Sequence, residues 1–376
     1  MRKLAIIGAS YLQLPLLQKA KEMGIETHCF AWEKGAVCRE IADFFYPISI
    51  IEKELILEAC QGIHIDGIAS IASEVAVPTV SFVAEKMGLI ANTYTTALTA
   101  TNKFLMRQQF SKFGLPSPRY INVTEDYSIS DFHFPVIVKP VDRSGSRGVM
   151  KVKKKEDLNM AIERAKKISF THQVIIEEYI EGTEISVETI SWKGKHFILA
   201  ITDKITSGEP YFVELEHHQP TQLDKTLQLK IREKTKQALT ALGIIYGASH
   251  AEFKITNDGE VFVIEIGARM GGDFIGSDLV QLCTGYDFLK GVIDVSLDHF
   301  EEPILANNEK VGICFLSEET KQVLPLITNA NNYKEIVKAE ITLEELHNIE
   351  CSADRSGYFI YTGEKPTIES PLEIAF

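Results

Sequence analysis

Glu252 and Glu265 stand inside two runs of apolar residues, AEFKI (251–255) and VFVIEI (261–266). A carboxylate buried without a partner is costly, so such a residue is ion-paired, metal-bound or at the lip of a cavity. Asn257, Asp258 and Gly259 between the runs form a hairpin turn that folds one run back on the other. If pairing centres on that turn, the two glutamates come close to opposite each other, with Cβ atoms about 5 Å apart, where like charges repel. A divalent cation between them removes the repulsion, and an all-oxygen donor set suits Mg2+ or Mn2+ rather than zinc. Magnesium held by one or two carboxylates completes its shell with water and substrate phosphates.

Phosphates need further partners, and the chain supplies them upstream. Lys139 interrupts the apolar strand FPVIVKP (134–140), so its ammonium must meet an anion if it is buried. The glycine loop that follows, SGSRG (Ser144, Gly145, Ser146, Arg147, Gly148), can turn successive backbone N–H groups toward one anion. Lys103, on an earlier helix, adds a second cation. In EEYIEGTE (177–184) a strand ends at an exposed hinge. Its backbone can meet the edge of a base, and Glu184 can accept hydrogen bonds from both ribose hydroxyls.

The elements that must position these groups follow from the apolar spacing. Residues 1 to about 95 alternate strands (4–8, 26–32, 66–71) with amphipathic helices (13–24, 50–62, 77–88), the signature of a doubly wound parallel sheet. The turn at Gly8–Ser10 lacks GxGxxG, and no GxxxxGK[ST] occurs, so neither a dinucleotide fingerprint nor a P-loop is present. Beyond residue 96 the pattern becomes α+β. Helices are expected at 101–114, 156–168 and 225–242, strands at 134–140 and on either side of a turn within 173–192, and a hairpin over 247–268. Three units are expected: 1–95, a Rossmann-like domain; 96–300, with a small lid over about 119–185; and 301–376, a mixed segment in which no chemistry is apparent.

Composition narrows the class. A net charge of −13 argues against a general nucleic-acid or anionic-membrane surface, while leaving room for local basic patches that hold a phosphorylated small molecule. Six scattered cysteines without a CxxC pair read as reduced thiols. The apolar run near the N-terminus is too short for a signal peptide, and no stretch approaches the roughly 20 apolar residues of a membrane span. The expectation is a soluble, cytoplasmic enzyme.

Taken in order, the motifs resemble those of the ATP-grasp enzymes, over the region from about Lys103 to Asp273. They are NKF with Lys103, FPVIVKP with Lys139, SGSRGV, IIEEYIEGTE, AEFK with Glu252, and FVIEIGAR with Glu265 and Arg269. The resemblance implies an ATP-grasp fold preceded by that family's N-terminal α/β domain. It implies that Lys103 and Lys139 contact ATP phosphates beneath a closing 144–148 loop. Glu177 and the backbone at Glu178 and Ile180 would hold adenine, and Glu184 ribose. Glu252 and Glu265 would ligate Mg2+ (or Mn2+), and Arg269 would face the transferring phosphoryl group. Many members carry Asn two residues after the second metal carboxylate; here that position is Gly267.

A narrower resemblance, to the amino-acid ligase branch, rests on YFVELEHHQP (211–220) and GARMGGD (267–273). It implies substrate contacts for Glu214, His217, Gly271, Gly272 and Asp273. The activity implied is joining of a carboxylate to an amine through an acyl phosphate, releasing ADP and phosphate. The alternatives are a purine-pathway or carboxylase-like ligase, a small-molecule kinase, or a non-catalytic nucleotide-binding protein. Small-molecule substrates are the expected partners, and the family's habit suggests a homodimer.

Overall fold

In the computed structural model, which describes residues 1–124, 128–130, 132–343 and 345–367, the chain forms three sheets. The last nine residues of the 301–376 segment lie outside the described residues. The first sheet is wholly parallel, in the order β3 (Phe44–Tyr46), β2 (Glu26–Phe30), β1 (Lys3–Ile7), β4 (Gly67–Ala69). Helices α1 (Leu14–Glu22), α2 (Lys53–Ile63) and α3 (Val77–Met87) cover its two faces. Alternate residues of β1 serve both cores: Leu4 and Ile6 pack with Leu16 and Leu17 of α1, and Ala5 and Ile7 with Ile56 of α2 and Val83 of α3. This double burial is why the strand reads as an unbroken apolar run rather than an alternating one. It is the expected Rossmann-like sheet.

The helix expected over 101–114 is found over 103–112, directly after a separate helix that ends at Thr101. Asn102 ends α4 (Tyr94–Thr101) and caps α5 (Lys103–Lys112), its Oδ1 accepting hydrogen bonds from the N–H groups of Phe104 and Leu105 at 2.9 and 3.1 Å. An N-cap residue leaves the helical conformation, so a periodic stretch breaks there without losing its apolar face. Lys103 is thereby set in the first turn of α5.

A small antiparallel sheet follows, ordered β5 (Tyr120–Asn122), β8 (Val174–Glu178), β6 (Val136–Pro140), β7 (Met150–Val152). Val136, Val138, Val174 and Ile176 pack on α6 (Leu158–Ile168) through Leu158, Ala161 and Ile162. Because side chains alternate along a strand, Lys139 and Glu177 must project from the opposite face.

The third sheet has eight antiparallel strands, β9 (Thr183–Trp192), β10 (Lys195–Thr206), β11 (Glu214–Gln219), β12 (Gly247–Ile255), β13 (Val261–Gly267), β14 (Val311–Leu316), β15 (Ile336–Ile341) and β16 (Gly357–Thr362). Their spatial order is β13-β12-β9-β10-β11-β14-β16-β15. Helix α7 (Lys225–Leu242) packs on its core through Ile231, Ala238 and Leu239. Strands β10 and β11 occupy 195–219, for which no strand was expected. The last three strands extend the same sheet, so the segment expected to lack chemistry is continuous with the core.

Candidate active site

Residues of the two antiparallel sheets, joined by Glu74 of the N-terminal segment and Lys103 of α5, line one cleft of about 1000 Å3, open solvent included. Its floor is the β12–β13 hairpin, whose register sets Glu252 opposite Glu265, with a bulge immediately after Glu252. Each glutamate meets a different lysine. Lys103 Nζ donates to Glu265 Oε1 at 2.7 Å and to the Arg143 carbonyl at 2.7 Å. Lys204 Nζ, on β10, donates to Glu252 Oε1 at 2.8 Å and lies 2.9 Å from Glu184 and 3.1 Å from Glu214.

The electrostatics follow from this crowding. Burial opposes the charge on Lys204, but Glu184, Glu252 and Glu214 override it and hold the ammonium well above its ordinary pKa. Burial likewise pushes Glu252 up, yet Lys204 and His250 bring it well below the usual carboxylate range. Glu265 is raised: its burial, together with Glu74 and Glu252, outweighs Lys103. One oxygen from each of Glu184, Glu214 and Glu252 lies within 4.8 Å of the others, and Glu214 Oε2 is buried without a hydrogen-bond partner. Such clustered hard-oxygen donors, one of them unsatisfied, fit Mg2+ or Mn2+. The grouping differs from the expected one in adding Glu184 and Glu214 beside Glu252, while Glu265 faces Lys103.

On the small sheet, Lys139 is 5% exposed and lies 2.8 Å from Glu177 Oε2. Burial lowers the Lys139 pKa, and Arg107 adds to that against the pull of Glu177. Glu177 is itself enclosed, with Arg107 Nε 2.9 Å from Oε1. Arg107, from α5, is fully buried and also donates to the Ile264 carbonyl at 2.6 Å. The Glu177 side chain is thus a counter-ion to two cations, whereas Glu178 binds Arg119 at the rim through its backbone N–H and Nε, both 2.9 Å. Ile180 lines the cleft beside them. The loop Ser144–Gly148 lies over the cleft, Ser146 Oγ donating to the Phe212 carbonyl at 3.4 Å. An Arg164–Glu350 pair at 2.9 Å ties the small sheet's helix to the C-terminal segment.

At the far end, Arg269 pairs at 2.7 Å with Glu74, which lies in a short 3-10 turn after β4. The chain then turns through Gly271 and Gly272 to Asp273, a non-glycine residue in the left-handed region (φ 53). Arg355 holds Asp273 with two hydrogen bonds of 2.9 and 2.6 Å. His217 Nε2 stands 3.7 Å from Asp273 Oδ2, and both ring nitrogens are buried without a hydrogen-bond partner. Burial depresses its pKa against the pull of Asp273, which favours the neutral imidazole. Along β11 the pairing shifts between Ile205–Glu216 and Thr206–Glu214, and this irregularity lets Glu214 and His217, three residues apart, both face Lys204.

The cleft therefore gathers Lys103, Lys139, Ser144, Gly145 and Ser146 of the loop, Ile180, Glu184, Glu214, Glu252, Glu265 and Arg269, while Gly148 is not among its lining residues. His217 and Asp273 adjoin it. Four site groups were not read from the sequence: Lys204, Arg107, Glu74 and Arg355. Only Lys204 carried a local signal, an ammonium inside a run of apolar and β-branched residues.

The family model described as ATP-grasp domain matches residues 132–278. Alanine–anticapsin ligase of Bacillus subtilis (strain 168) is 28% identical over 299 residues, 66% of this chain and 63% of that protein. The match thus spans less than two-thirds of that relative's length. Among solved structures, an L-amino acid ligase from Bacillus licheniformis matches with a TM-score of 0.79 at 22% identity, over 97% of this chain and 94% of the other. Phosphoribosylglycinamide synthetase from Anaerococcus prevotii matches with a TM-score of 0.76 at 21% identity, over 97% and 94%. Motif order, sheet topology and the matched model agree that residues 132–278 form an ATP-grasp domain.

Proposed function

We propose that the protein is an ATP-dependent ligase that joins a carboxylate to an amine, with amino-acid-like substrates. The observation that carries this reading is the cleft in which Lys103, Lys139 and Arg269 alternate with Glu252 and Glu265, with the buried Lys204 pairing Glu252. Such a set neutralises a polyphosphate and leaves carboxylates for a divalent cation. The likeness to alanine–anticapsin ligase supports the amino-acid branch.

In this reading Lys103 and Lys139 hold phosphate oxygens, the backbone at Glu178 and Ile180 meets adenine, and Glu184 meets ribose. The 144–148 loop closes and excludes water, which a hydrolysable acyl phosphate requires. Mg2+ or Mn2+, held by Glu252 and Glu265 with Glu214 in reach, would supply Lewis-acid charge neutralisation. Lys204 and Arg269 face the phosphoryl group as it passes to the substrate carboxylate, and positioning with charge neutralisation provides most of the rate. Glu214 and neutral His217 receive the amine, the imidazole being able to accept its proton. Gly271, Gly272 and Asp273 line the substrate end.

A purine-pathway ligase is the second reading, favoured by the fold likeness to phosphoribosylglycinamide synthetase. Phosphate release from Mg·ATP against single amino acids, their pairs, and phosphoribosyl amines separates the two. Release that needs both a carboxylate and an amine, with a condensed product in the mass spectrum, supports the amino-acid ligase. Dependence on a phosphoribosyl amine transfers the assignment to the second reading, and a phosphorylated product without free phosphate makes the protein a kinase.

A further inference from the structure

Glu188 is fully buried in the middle of β9, and among the described residues its ion-pair partner is a histidine. Both of its oxygens are engaged. Oε1 bonds His250 Nδ1, and Oε2 accepts the Gly271 N–H at 3.0 Å. The contact is built into the sheet, because His250 and Glu188 are direct cross-strand partners on β12 and β9. The other ring nitrogen of His250, Nε2, lies 3.3 Å from Glu252 Oε1, the same oxygen that Lys204 holds at 2.8 Å. Two donors on Oε1 fix the carboxylate's rotation and leave Oε2 as the oxygen for a cation.

The other arm of Glu188 reaches a different part of the site. Gly271 sits in the turn between Arg269 and Asp273, and a Cβ there would collide with the Glu188 carboxylate and lie 2.9 Å from His250 Nδ1. The neighbouring Met270 carbonyl accepts the Ala72 N–H of the N-terminal domain at 3.2 Å. One buried carboxylate therefore touches, directly or through one imidazole, both Glu252 and the turn that carries the substrate-end residues. A carboxylate–imidazole pair behind a metal carboxylate orients it and fixes its hydrogen-bonding state.

We infer that Glu188 and His250 are positioning residues: they hold Glu252 in the orientation that binds the divalent cation, and through Gly271 they make the order of the 268–273 turn depend on that cation. The inference rests on the proposed role of Glu252 as a metal carboxylate. It predicts two effects that a merely structural buried pair does not give, a metal-specific loss of affinity and a metal-specific ordering of the turn.

The test is calorimetric titration of the whole chain with ADP, in EDTA and with Mn2+, for wild type, Glu188→Gln and His250→Gln. Metal-free ADP should bind the variants within about twofold of wild type, while Mn2+·ADP binds about 10- to 100-fold more weakly. Variants that bind Mn2+·ADP as wild type does overturn the inference. Equal losses with and without Mn2+ overturn it too, since they mark a structural role. Wild type that gains nothing from Mn2+ removes the metal site itself, and with it this inference. Hydrogen exchange on wild type gives an answer that does not depend on the variants folding. Mn2+·ADP should slow exchange across 268–273 beyond metal-free ADP, and an unchanged rate overturns the coupling.

Discussion

Arg269 lays its guanidinium against Gly267: a Cβ on that glycine would stand 3.2 Å from Arg269 Nε and Cζ, and 3.2 Å from Glu74 Oε1. Many ATP-grasp sequences carry Asn at this position, and here the space its side chain needs is filled by the Arg269–Glu74 ion pair. The ion pair joins the N-terminal segment to the end of the cleft that carries Arg269.

Gly267→Asn therefore forces Arg269 away from Glu74 instead of completing a metal shell. Overpacking of this kind costs about 1–3 kcal/mol, read as a lower urea midpoint. If Arg269 acts on the phosphoryl group as proposed, ATP turnover should fall by on the order of tenfold or more. A folded variant with tighter Mn2+ binding and undiminished turnover would show that the two side chains do not compete for the space.

Glu265→Gln separates charge from shape. Glutamine retains an oxygen for the Lys103 ammonium, now 2.7 Å from Glu265 Oε1, but offers no anion to a cation. Turnover should drop on the order of a hundredfold or more, with a melting temperature close to wild type. Unimpaired turnover by the folded variant would remove Glu265 from the metal site.

The register of Glu252 on Glu265 was legible because one turn, Asn257–Asp258–Gly259, fixes it over a few residues. Lys139 was legible as a charge within an apolar strand, while Glu177 was read only as part of an exposed hinge. Their mutual pairing was not, since it depends on β6 lying beside β8. Lys204 reaches Glu252 only because β9 lies between β10 and β12, and strand periodicity carries no information on sheet order. The Arg355–Asp273 pair spans 82 residues in sequence, and nothing local to RSGYFIY announces it. Local chemistry could be read; long-range neighbours could not.

Lys139→Ala tests two linked roles. It removes one of the two cations on the buried Glu177, and breaking a buried pair costs about 3–5 kcal/mol. It also removes a charge-assisted contact to phosphate, so ADP should bind about tenfold more weakly. Arg107 remains 2.9 Å from Glu177 in that variant, so adding Glu177→Gln leaves the fully buried guanidinium without an anion and should lower stability further. An unchanged Kd for ADP in the single variant would take Lys139 out of the nucleotide site.

His250 gives the metal-free protein a pH signature. Burial pulls its pKa down, but the Glu188 charge and hydrogen bond, with Glu252, override that and raise it to about 9. A folded pKa above the ordinary 6.5 means that the folded state holds the proton more tightly than the unfolded chain does. The resulting stability is fully present below about pH 6.5 and is lost as pH rises through about 9, amounting to about 3 kcal/mol at most. Urea midpoints measured from about pH 6 to about pH 9.5 should therefore fall for wild type in EDTA, and fall less for His250→Gln, which has no proton to lose. Parallel curves for the two proteins would show that the imidazole is neutral in the folded state.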